Sequence, residues 1–161
     1  IDFGGKDITV RSEDPNNRAV VSATIIDSGY DIGVLFIFGE ELDSVLSGFT
    51  VQGGTGYGIQ CGQVGGAESS PTISNCIITD NDIGVYCYNS SPKIINNIIK
   101  ANITAGIYCD ASQTPVIENN LISDNNIGDC IGIAIESATD VAVIRNNTIV
   151  NNSWGIYKES G

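Results

Sequence analysis

Tyrosines and carboxylates recur in step through the second half of this sequence. Tyr86, Tyr108 and Tyr157 take matching places in successive repeats, and Asp110, Glu136 and Glu159 stand two residues further along. Ala134 takes the tyrosine's place in the repeat that carries Glu136, and Gln60 and Tyr88 belong to the same two columns earlier in the chain. A row of aromatic rings offers flat apolar faces with polar tips, a surface on which sugar rings stack. Aligned carboxylates repel one another unless a cation or a base sits among them, and Ca²⁺ suits such oxygen ligands. Tyr86, Tyr108, Tyr157, Asp110, Glu136 and Glu159 are therefore the candidate glycan-contacting residues, and the three carboxylates the candidate Ca²⁺ ligands. A plainer reading exists for both sets. Tyrosine suits exposed strands without any ligand, and solvated carboxylates splay apart with Lys158 beside them.

Asp80 and Asp124 lie two repeats apart in the loops before the tyrosines, with Ala101 between them in the aligned column and Asp82 close by. Two rungs of a stacked structure separate such a pair by about 9.6 Å, near the upper limit for two carboxylates that invert a glycosidic bond. Asp and Asn are also the default residues of tight loops, and the turn reading is the weightier one. The chain has no His, and no Ser or Cys stands beside a base, which excludes nucleophilic triads. No Cys-x-x-Cys pair occurs among the five cysteines, so a zinc site is not expected either.

The elements that must position these residues are repeats. SPTISNCIITDNDIGVYCYNS from Ser70 superposes on segments starting at Ser91, Thr114 and Val141, and a more divergent copy starts at Asp43. The first aliphatic of each copy, Leu46, Ile73, Ile94, Ile117 and Ile144, recurs at spacings of 27, 21, 23 and 27. A glycine, at Gly58, Gly84, Gly106, Gly132 and Gly155, recurs at 26, 22, 26 and 23. A β-solenoid tolerates such elasticity, because strands must stay in register while turns lengthen outward. No 3.6-residue period appears, which argues against helices. The expected fold is all-β, a right-handed parallel β-helix of about six coils with three short strands per coil.

Within one coil the strands are read as Thr72–Ser74, Cys76–Ile78 and Gly84–Cys87. Ile73, Val85 and Cys87 point inward, and Ser74, Tyr86 and Tyr88 outward. Asn75, Asn96, Asn119 and Asn146 fall at a bend that demands left-handed backbone, with Asn97, Asn120 and Asn147 beside them as an amide ladder. Cys61, Cys87 and Cys109 share an inward column continued by Ile135, packed as small hydrophobes, with a disulfide between neighbours dependent on geometry. Residues 1–41 follow the plan more loosely, with strands at Ile8–Ser12, Thr24–Asp27 and Val34–Phe38 and a turn-rich excursion over Glu13–Arg18. One domain over 1–161 is expected, as a segment of a longer or assembling protein whose exposed coil ends can stack head to tail.

The P-x-I-x-N-N-x-I element at Pro92–Ile99 and Pro115–Ile122, and the N-x-x-G-I-Y element at Asn152–Tyr157 and, with one residue more, at Asn102–Tyr108, resemble the right-handed parallel β-helix repeat of the pectin-lyase-like superfamily. The resemblance is strong from Asp43 onward. It implies a secreted or cell-surface microbial protein, and it mixes lyases, hydrolases, epimerases and adhesins. Its enzymes place their sites on the outer face of the strand matching Gly84–Cys87. A lyase of this kind wants an Arg or Lys base beside Ca²⁺-binding carboxylates. Lys100, Arg145 and Lys158 are the candidates, and none joins a carboxylate cluster.

Nineteen acidic residues against seven basic ones give a net charge of −12, which repels nucleic acid and anionic membrane surfaces. No apolar run is long enough to span a bilayer. The expected function is a non-catalytic extracellular solenoid with a structural, adhesive or glycan-contacting role. The alternative is a polysaccharide lyase or glycoside hydrolase acting on the tyrosine and carboxylate face. Sequons start at Asn89, Asn102, Asn146 and Asn151, and such matches arise by chance in an Asn-rich chain.

Overall fold

The structure, a computed structural model, describes residues 1–111, 114–125, 129–136 and 141–159. The first coil holds β1 (Thr9–Arg11), α1 (Arg18–Ala23), β2 (Ile25–Asp27) and β3 (Val34–Phe36). The second holds β4 (Val45–Ser47), β5 (Thr50–Gln52) and β6 (Tyr57–Cys61), and the third β7 (Thr72–Ser74), β8 (Ile77–Thr79) and β9 (Ile83–Tyr88). The fourth holds β10 (Lys93–Ile95), β11 (Ile98–Lys100) and β12 (Ala105–Asp110), and the fifth β13 (Val116–Glu118), β14 (Leu121–Ser123) and β15 (Ile131–Ile135). β16 (Val143–Arg145), β17 (Thr148–Val150) and β18 (Trp154–Lys158) form the last.

Equivalent strands pair in parallel, giving three six-stranded sheets: β1-β4-β7-β10-β13-β16, β2-β5-β8-β11-β14-β17 and β3-β6-β9-β12-β15-β18. This is the expected parallel β-solenoid with three strands per coil. Leu46, Ile73, Ile94, Ile117 and Ile144 pair in register as one interior file, the first four fully buried and Ile144 partly so. Val51, Ile78, Ile99 and Ile122 form a second buried file, and Ile59, Val85, Ile107 and Ile133 a third. Each such aliphatic contributes about 2 kcal/mol by leaving water, and the files together make a continuous core.

The bends explain the asparagines. Asn75, Asn96, Asn119 and Asn146 hold φ of 54° to 57°, the left-handed region that Asn enters most readily among non-glycine residues. Beside them runs the expected ladder. Asn97 Nδ2 donates to Asn120 Oδ1 at 3.1 Å and to the Ile73 carbonyl at 3.0 Å, and Asn120 Nδ2 donates to Asn147 Oδ1 at 3.0 Å. A second ladder, unforeseen in the sequence, links Asn81, Asn102, Asn125 and Asn152 at the bend between the second and third sheets. Its neighbours Asp80, Ala101, Asp124 and Asn151 hold φ of 53° to 57°, so they are turn residues. Asn102 is fully buried in that ladder, which rules out its sequon for glycosylation of the folded chain.

Two expectations are corrected. The second strand of the coil runs Ile77–Thr79, one residue later than read, because Cys76 belongs to the bend. The first coil contains a helix, α1, capped by Asn17, whose side chain accepts from Ala19 N; six residues are too few to declare a helical period. Ser74, read as outward, is nonetheless buried, and its hydroxyl donates to Ser47 Oγ at 3.0 Å. The excursion before α1 packs close by: a Cβ on Gly48, next to Ser47, would meet Pro15 Cα at 2.6 Å.

The first coil is also covered. Leu35 N donates to Ile1 O at 2.8 Å and Phe3 N to Leu35 O at 3.2 Å, on the edge of β3 away from β6. The Phe3 ring lies 4.2 Å from that of Phe36. Glu40, fully buried, holds this segment: its carboxylate accepts from Gly5 N, Phe38 N and Ser69 Oγ at 2.8 to 3.0 Å. Val143, Trp154 and Ile156 of the last coil are exposed.

Candidate functional site

The outer face of the third sheet carries the tyrosine column in the expected register. Gln60 pairs with Tyr86, Tyr86 with Tyr108, Tyr108 with Ala134 and Ala134 with Tyr157. The rings of Tyr86 and Tyr108 lie 5.8 Å apart and tilted by 30°. Tyr57 extends the row, stacked on Tyr86 at 4.3 Å and 12°. Sequence register had hidden it, since Tyr57 pairs with Ile83 rather than with a tyrosine, and only the lean of its ring brings it over Tyr86. Tyr57, Tyr86 and Tyr108 thus form a half-buried aromatic strip across three coils. Tyr157 stands apart, two coils beyond Tyr108 and separated from it by Ala134, whose methyl group is fully buried.

The carboxylates are placed by the same ladder of strands. Asp110 lies in register with Tyr88, while Glu136 N donates to Cys109 O and Glu159 N to Ile135 O. Two of them answer to tyrosines one coil earlier. Tyr86 Oη donates to Asp110 Oδ2 at 3.5 Å, and the Tyr108 hydroxyl is hydrogen-bonded to Glu136. Desolvation raises the pKa of both phenols well above the ordinary tyrosine value, and the neighbouring Asp110 and Glu136 charges push in the same direction. Both phenols are thereby held in the protonated form, each beside the carboxylate of the following coil. Ala134 precedes Glu159 in the diagonal sense and offers no hydroxyl to it.

Among the described residues, no group of three or more His, Cys, Asp or Glu side chains is placed to hold a metal ion. Asp110, Glu136 and Glu159 stand in a row along the solenoid axis rather than around a point.

The other residues singled out from the sequence fall elsewhere. Asp80 accepts from its neighbour Thr79 Oγ1, while Asp82 accepts from Thr104 Oγ1 and Asp124 from Asn151 Nδ2, each of these donors one coil later. Arg145 pairs with Glu118 at 2.8 Å on the outer face of the first sheet, away from the tyrosines. That face also bears an open groove of about 450 Å³ lined by Leu42, Ser70, Ser91, Lys93, Val116 and Arg145. No helix among the described residues is long and apolar enough to cross a membrane.

A protein-family model described as a right handed beta helix region matches residues 13–161. The chain belongs to the right-handed β-helix family. The match takes in every coil from the excursion before α1 onward, so the family's repeat and the stacked β-helix coils coincide. No curated protein and no solved structure matches this β-helix.

Proposed function

We propose that this β-helix is a non-catalytic extracellular element with a structural or adhesive role, and that it contacts polysaccharide through the strip formed by Tyr57, Tyr86 and Tyr108. The observation that carries the reading is the strip itself: three half-buried rings, two of them 4.3 Å apart, on the outside of a rigid sheet. Preorganised aromatic faces bind sugar rings with little loss of conformational freedom, because each tyrosine has only two rotatable side-chain bonds to fix. Bonding of the Tyr86 and Tyr108 hydroxyls to Asp110 and Glu136 fixes the rings further. Tyr157 and Glu159 extend the contact surface toward the last coil.

A polysaccharide partner is favoured over head-to-tail stacking of copies. An incoming coil would have to displace the Ile1–Phe3 segment, which already pairs with β3 on the edge such a coil would use.

The test is a panel of neutral and acidic polysaccharides, scored first for retention of the protein and then for release of reducing ends or unsaturated sugars. Retention on at least one glycan without product supports the reading. Product formation that Asp110→Asn or Glu136→Gln abolishes would replace it with the lyase or hydrolase alternative.

A further inference from the structure

The third sheet carries a second interior file, two residues beyond the aliphatic one, and in three successive coils it consists of cysteine. Cys61 and Cys109 are each paired in register with Cys87, the first in the coil before it and the second in the coil after. All three are fully buried, and Cys87 is hydrogen-bonded to both neighbours. None of the five cysteines forms a disulfide in this structure.

We propose that this file is an oxidative modification site, which takes one coil-to-coil disulfide by exchange with a small-molecule disulfide while the chain folds. Cys87 is always a partner in that bond, with either Cys61 or Cys109 as the other. Paired residues of adjacent parallel strands stand about 4.8 Å apart, inside the Cα separation that a disulfide spans. Cys61 and Cys109 are two strands apart, about 9.6 Å, beyond the reach of a disulfide without backbone movement. A sulfur forms one disulfide only, so the central residue chooses one neighbour and the third thiol remains reduced.

The exchange balances without any further reactant. A Cys87 thiolate attacks a sulfur of the small disulfide and expels one thiolate, leaving a mixed disulfide. The thiolate of Cys61 or Cys109 then attacks the Cys87 sulfur and expels the second. Two cysteine thiols lose two electrons in all, the small disulfide gains them, and the two thiol protons pass to the expelled thiolates.

The folded core closes this route. The hydrogen bond from Cys109 favours the Cys87 thiolate, but the bond to Cys61 and complete burial outweigh it and hold the thiol well above its ordinary range. Oxidation therefore belongs to the folding chain, when strands are in register and water still reaches the sulfurs. The other two cysteines lie outside the strands of their coils. Cys76 lies in the bend after β7 with its thiol on the Ser74 carbonyl, and Cys130 precedes β15 with its sulfur against the Ile103 carbonyl.

The experiment unfolds the protein, refolds it in mixed oxidised and reduced glutathione, alkylates remaining thiols and maps the peptides without reduction. The expected map contains Cys61–Cys87 and Cys87–Cys109 links, one per molecule, and the oxidised fraction unfolds at a higher denaturant concentration than the reduced one. A Cys61–Cys109 link, links confined to Cys76 or Cys130, or five alkylated cysteines in the refolded protein would overturn the proposal. Cys87→Ala is expected to leave Cys61 and Cys109 both alkylated, and a link between them in that variant counts equally against it. Should that variant fail to fold, the map of the unaltered protein decides alone.

Discussion

Asn120 Oδ1 accepts two hydrogen bonds from Asn97, one coil earlier: from the backbone nitrogen at 2.9 Å and from the side-chain amide at 3.1 Å. Asn97 in turn accepts from Cys76 N at 2.9 Å. One residue type, once per coil, thereby satisfies the backbone of a bend that is closed to water, and it fixes the rise from coil to coil.

Removing an interior ladder member leaves buried donors without acceptors, so Asn97→Ala should cost about 2–3 kcal/mol of folding stability. Asn147 sits half-buried at the end of the same ladder, and Asn147→Ala should cost about 1 kcal/mol. Chemical denaturation of the two variants measures the difference. Equal costs would mean that the ladder contributes nothing beyond local bend geometry.

The stacked glycines make a sharper contrast. A Cβ on Gly84 would meet the Gly106 carbonyl oxygen at 2.5 Å and Asn102 Nδ2 at 2.9 Å, both rigid neighbours, whereas one on Gly155 would meet only Ile149 Cγ2 at 3.8 Å. Gly84→Ala should therefore destabilise by about 3 kcal/mol, the upper end of ordinary overpacking, or fail to fold. Gly155→Ala, at the same place in the repeat, should fall within about 0.5 kcal/mol of the parent in thermal or chemical melts.

Tyr86 and Tyr108 give a pH signature. Their phenols are raised in the folded state first by desolvation and then by Asp110 and Glu136. The native state thus holds protons that the unfolded state releases above the ordinary tyrosine pKa of about 10. Their contribution to stability is complete below that pH and is lost as pH rises beyond it. Ultraviolet titration should show two of the six tyrosines ionising late, and Tyr86→Phe with Tyr108→Phe should remove the late phase. Six tyrosines titrating together would contradict the packing of the strip.

The coil plan was legible because its signals are local and repeated. An aliphatic, an asparagine pair and a glycine recur in each coil, and the interior file from Leu46 to Ile144 follows from them. The second asparagine ladder was not read, although Asn81, Asn102, Asn125 and Asn152 recur at the steps of 21, 23 and 27 that mark the first. Three of its members follow Asp or Ala and only Asn152 follows another asparagine, so loop composition masked the column. Tyr57 was hidden by register, and the Glu40 anchor by the long separation of its partners Gly5 and Ser69. Contacts of that kind have no period to betray them.

Calorimetric titration of a glycan retained in the panel, into the parent protein and into Tyr86→Ala, tests the proposed contact surface most directly. Tyr86 is the central ring of the strip, touching Tyr57 on one side and Tyr108 on the other. Loss of the ring that holds Tyr57 and Tyr108 in one strip should weaken binding at least tenfold, about 1.4 kcal/mol, with the fold preserved by circular dichroism. Unchanged affinity in a folded Tyr86→Ala protein would contradict it.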